Sequence, residues 1–112
     1  MQRPGQPDLL GKIVGLYLRE SPKQLQQMRD AVAGGDDEAL RQAAHTLKSS
    51  SANLGATQLA ELSKELEHRG RDRRLVGAEE LLHALEAQYL QVQHALAMDL
   101  ERGGQYPPPP QC

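Results

Sequence analysis

Apolar positions recur three and four residues apart along most of this chain, a spacing that predicts helices. Leu9, Leu10, Ile13, Leu16 and Tyr17 share a face of a first helix, which Asp8 can cap and which should end near Glu20. Ser21-Pro22-Lys23-Gln24 then reads as a new helix start, with serine as N-cap, proline at the first helical position and glutamine three residues on. That second helix buries Leu25, Met28 and Val32 and ends at Gly34-Gly35. Asp36 caps a third, with Asp37 and Glu38 in its first turn where negative charge suits the macrodipole. It runs to about Asn53, and Gly55 reverses the chain. A fourth helix, from about Ala56 to Arg69, turns Leu59, Leu62 and Leu66 inward and is stopped by Gly70. The last spans roughly Val76 to Arg102, with Leu82, Leu85, Tyr89, Val92 and Leu96 in the spacing of a bundle seam.

These elements predict an all-α fold, an antiparallel up-down four-helix bundle with an additional short N-terminal helix packed against one end. Residues 1–7, with Pro4, Gly5 and Pro7, read as a disordered lead-in, and residues 8–102 as the domain. Residues 103–112, with Gly103-Gly104 and Pro107 to Pro110, read as a flexible tail with a short polyproline stretch. A chain of 112 residues has room for one modest core, and without Phe or Trp that core must be aliphatic, which favours helix on helix.

The formal net charge of −2 and pI near 6.1 argue against nucleic acid as a partner. The single cysteine, Cys112, forms no internal disulfide and implies no oxidising compartment. No apolar run is long enough for a membrane span, and the N-terminus lacks the apolar stretch of a signal peptide. A cytoplasmic chain without direct membrane contact is expected, whether it stands alone or ends a membrane-bound sensor.

Chemistry concentrates in the third helix. With Leu40 at the centre of its buried face, Ala43, Ala44, Leu47, Ser51 and Leu54 fall within about 60° at roughly 100° per residue. His45 falls about 140° away, on the solvent side. Arg41 lies one turn before it, Lys48 and Ser49 one turn after, and Ala52 two turns after. A lone imidazole between cations, with only small side chains over the next two turns, is not what a core requires. It suits phosphoryl transfer, which needs a nucleophile, positioning and compensation of phosphate charge. Lys48 can place an ammonium beside a phosphoryl group, and Ser49 and Ala52 leave the ring approachable by a bulky donor.

The stretch Ala44, His45, Leu47, Lys48, Ser49, Ser50, then Leu54, Gly55 and Ala56, resembles the signature of histidine-containing phosphotransfer (HPt) domains. Gly35-Asp36 before the histidine helix and Leu66-Glu67 in the next extend the resemblance over roughly residues 8 to 100. Ser49 stands where the family usually has glycine, a change small enough to tune partner approach without loss of function. The resemblance implies that His45 accepts a phosphoryl group from a phospho-aspartate and passes it to another aspartate. The partners it implies are receiver domains of a hybrid sensor kinase, a response regulator, or both. It places the catalytic Mg²⁺ on the receiver and leaves this chain with no cofactor of its own and no ATP-dependent kinase activity. Lys48 and Ser49 neighbour the phosphate in this reading, and Arg41, Gln42 and Ala52 border the docking surface of a monomer.

Two other readings compete. A non-catalytic helical adaptor would make His45 incidental. The dimeric phosphoacceptor part of a sensor kinase would need a nearby ATP-binding domain, for which the chain is too short. Glu67 reads equally as a family acidic position and as a solvated helix charge. The run Arg69, Arg71, Arg73 and Arg74 reads as a helix end and connector, and His68, His83 and His94 are not at metal-ligand spacing.

Overall fold

The helices are delimited by their ends. The computed structural model describes the backbone of residues 5–101 and the side chains of 11–98. It places α1 at Gly5–Gly34, α2 at Asp37–Asn53, α3 at Thr57–Arg71 and α4 at Ala78–Glu101, with no strand among the described residues. The first three helices close in one way. The N–H of Asp36 reaches back to the carbonyl of Ala31, and that of Gly35 to Val32. Ala56 and Gly55 do the same to Ser51 and Ala52, as do Arg74 and Arg73 to Arg69 and Gly70. This closure needs one left-handed residue, supplied by Gly35 (φ 70), Gly55 (φ 78) and Arg73 (φ 55). Asp36 then caps α2, its Oδ1 accepting from the Ala39 N–H at 3.0 Å. Such short reversals set α2 antiparallel to α1 and α3 antiparallel to α2.

α1 packs against α2 and α4, and α3 against the same two, so the four helices surround one core. Leu25, Met28, Leu40, Leu47, Leu59, Leu66 and Leu85 fill it, nearly free of solvent. Tyr17 and Tyr89 supply its aromatic content, with ring centroids 6.3 Å apart. Their hydroxyls are satisfied by buried serines: Tyr17 shares a hydrogen bond with Ser51 Oγ at 2.9 Å, and Tyr89 with Ser21 Oγ at 2.7 Å. Burial pushes the Tyr17 phenol up to about 12, although the bond to Ser51 works against it. Tyr89 is raised for the same reason.

The N-terminal region departs from the sequence expectation. No break separates a short first helix from a second at Ser21: α1 is continuous, with Pro22 inside it. It begins at Gly5, so the last part of the expected lead-in is helical. The reason lies in the Ser21 hydroxyl. It does not turn forward to cap Gln24 but donates back to the carbonyl of Tyr17 and meets Tyr89. With Tyr17 buried on one side of Pro22 and Leu25 on the other, tertiary packing holds both halves in line despite the hydrogen bond that proline removes. Val14 and Tyr17 carry the inward face of this half, whereas Ile13 and Leu16 are 42% and 50% exposed. The side chains of Leu9 and Leu10, and residues 102–112 with the tail, lie outside the described residues.

Two further boundaries move. Gly70 does not stop α3; it lies inside the helix and is buried. Val76 is exposed, and α4 starts at Ala78. Leu82, Leu85 and Tyr89 are buried as the seam requires, with Val92 and Leu96 packed at its edge. No described helix is long and apolar enough to cross a membrane.

Candidate functional site

The inward stripe of α2, Leu40, Ala43, Ala44, Leu47 and Ser51, fixes the rotation of the helix about its axis. That rotation turns His45 outward, with its side chain 55% exposed. The ring is nevertheless held. Glu67, projecting from α3 and only 15% exposed, places Oε2 2.9 Å from His45 Nδ1. Its other oxygen, Oε1, lies 2.7 Å from the Lys48 ammonium. Oε1 is fully buried and accepts no well-aligned hydrogen bond, so the Lys48 charge is its compensation. Desolvation raises the Glu67 carboxyl, but Lys48 and His45 outweigh it and hold the group below the ordinary carboxylate range.

In the neutral ring, a carboxylate acceptor favours the tautomer that carries its proton on Nδ1 and leaves the lone pair on Nε2. A nucleophilic nitrogen on an exposed ring, oriented by a carboxylate on a neighbouring helix, is the arrangement of an activated histidine.

The other residues singled out in the sequence divide into two groups. Lys48 joins His45 through Glu67. Arg41 and Gln42 turn the other way, onto Glu38: Arg41 Nε donates to Oε1 at 3.0 Å and Nη2 to Oε2 at 2.5 Å, and Gln42 Nε2 donates to Oε2 at 3.0 Å. The Arg41 guanidinium beside Glu38 holds that carboxyl down at about 2. Arg41 is therefore paired within its own helix, one turn from the ring, whereas Lys48 is paired with the same carboxylate that holds the ring. Ser49 and Ala52 are exposed on α2 and keep this side of the helix low.

Sequence spacing on α2 alone does not find Glu67, because its partner is twenty-two residues away on another helix. The Leu66-Glu67 pair was the available signal. Between α1 and α2, Ile13, Leu16 and Tyr17 of the first and Thr46, Ser50 and Leu54 of the second and its turn line an open groove of about 340 Å³. Among the described residues no three His, Cys, Asp or Glu side chains cluster to hold a metal ion.

The described helices thus present one histidine, held by a carboxylate from the next helix, on the outside of a four-helix bundle. The model of the Hpt domain matches residues 12–95, and the chain belongs to that family, whose role is histidine phosphotransfer in a phosphorelay. Among solved structures it is similar to histidine-containing phosphotransfer protein B (HptB) from Pseudomonas aeruginosa PAO1. The two are 30% identical with a TM-score of 0.79, over 82% of this chain and 80% of that one. No curated protein matches the chain.

Proposed function

We propose that His45 is the phosphoacceptor and that receiver domains are its donor and acceptor. The observation that carries this is the Glu67 carboxylate 2.9 Å from Nδ1 of an otherwise exposed ring. The Nε2 lone pair attacks phosphorus in the aspartyl phosphate, the N–P bond forms, and the bond to the aspartate oxygen breaks with its electron pair leaving on the carboxylate. No proton needs to move. The ring retains its Nδ1 proton and becomes an N-phosphoryl imidazolium, whose positive charge Glu67 faces. Lys48 exchanges contact with Glu67 for contact with the phosphoryl oxygens. Reversal onto a second aspartate regenerates the neutral ring. Mg²⁺, on the receiver, supplies charge neutralisation at the aspartyl side.

The docking face comprises the low surface at Ser49 and Ala52, the rim at Arg41 and Gln42, and the exposed apolar pair Ile13 and Leu16. Ile13 and Leu16 line a groove whose other wall is Thr46 and Ser50 of α2, the helix that carries the ring. A receiver carrying labelled phospho-aspartate, mixed with wild type and with His45→Gln, tests the assignment. Acid-labile, base-stable label on the wild type alone is expected; equal label on both variants would place the acceptor elsewhere.

A further inference from the structure

α3 crosses α2 at a point where no side chain fits between them. Gly70 is buried there in ordinary helical backbone. A Cβ at Gly70 would stand 2.7 Å from both the Arg41 backbone nitrogen and the Asp37 carbonyl oxygen, and 3.0 Å from Arg41 Cα. Helix propensity favours alanine over glycine inside a helix, and no turn requires glycine here. The crossing alone accounts for it.

The crossing lies one turn from the site on both helices. Arg41 precedes His45 by four residues, and Gly70 follows Glu67 by three, so in an antiparallel pair the next turn sets Glu67 opposite His45. We propose that Gly70 is a positioning residue: its missing side chain sets the separation at which Glu67 reaches both His45 and Lys48. This rests on the reading of His45 as a nucleophile oriented through Nδ1.

Ordinary contact for a Cβ begins at 3.4 Å. Alanine at Gly70 must therefore open the crossing by about 0.7 Å, because the obstructing atoms are backbone and cannot rotate aside. Carried to the next turn, that opening lengthens the His45–Glu67 contact to about 3.6 Å, beyond hydrogen-bond range. Glu67 already divides its two oxygens between two partners, so it cannot follow one without leaving the other.

The test is ¹⁵N NMR of the His45 ring in the intact chain across neutral pH. The neutral wild-type ring should show a protonated Nδ1 and an unprotonated Nε2. Gly70→Ala, folded by its amide spectrum, should lose this bias and revert toward the mixture of a free imidazole, while Tyr89→Phe, which loosens the opposite side of the bundle, should keep it. A folded Gly70→Ala with the wild-type ring spectrum overturns the proposal. Should Gly70→Ala not fold, Glu67→Asp decides. It keeps the charge and shortens the arm, so loss of the bias supports a separation matched to glutamate and retention overturns it. Glu67→Ala separates the two levels: a ring spectrum unchanged even there would mean that the His45–Glu67 pairing itself, and not the role of Gly70, is wrong.

Discussion

Replacing Glu67 by alanine isolates the contribution of the orienting carboxylate. Its cost to the fold should be small. The partners it leaves are 31% and 55% exposed, and pairs of this exposure contribute about 1 kcal/mol or less. The buried Oε1, which lacks an aligned donor, disappears with the side chain and leaves no desolvated charge behind. The cost to transfer should be larger. A hydrogen bond to a charged group contributes about 1.5–3 kcal/mol, and solvent around the half-exposed ring reduces this to about 1–2 kcal/mol. That energy currently favours the tautomer with a free Nε2 and stabilises the positive charge that phosphorylation leaves on the ring. At 1.4 kcal/mol per factor of ten, single-turnover transfer from a phosphorylated receiver should slow roughly 5- to 30-fold. Quenched-flow transfer assays on a variant whose melting curve shows it folded would measure this. A rate within about two-fold of wild type would refute the reasoning, since the carboxylate would then orient nothing that limits the reaction.

Other perturbations follow from the same geometry. Ser49→Gln should slow transfer by crowding the side from which a receiver approaches, whereas Ser49→Gly should cost about 0.5 kcal/mol in stability and leave transfer intact or faster; matched transfer and melting assays distinguish them. Arg73 occupies the left-handed closing position that glycine fills at the other two helix ends, so Arg73→Gly should stabilise the fold by about 0.5–1 kcal/mol in denaturant titration. The Tyr17 phenol, raised from 10.0 to about 12, favours folding through its neutral form; that contribution is complete below pH 10 and is lost as pH rises through about 12. Phenolate absorbance should therefore show Tyr17 ionising late, with unfolding close behind, and a normal tyrosine titration in the native state would contradict its burial.

The sequence displayed the histidine helix well because all its determinants are local. Asp36 supplies the cap, Gly55 the reversal, and a stripe from Leu40 to Ser51 the rotation that turns His45 outward. What stayed hidden was settled between helices. Ser21-Pro22 carries every local sign of a helix start, yet Tyr89 lies sixty-eight residues beyond Ser21 and draws its hydroxyl into the core. Gly70 looks like a stop because glycine often ends helices, and only the backbone of α2 beside it reveals a crossing. Arg41 and Lys48 flank His45 alike in sequence; Glu38 neutralises the first, and Glu67, on another helix, couples the second to the ring.

The most direct measurement determines which ring nitrogen carries the phosphate. With Nδ1 hydrogen-bonded to Glu67 and the side chain 55% exposed, phosphorylation of the native chain followed by ³¹P–¹H correlation on the His45 ring should show phosphate on Nε2 alone. Phosphate on Nδ1, or on any residue other than His45, would contradict the account.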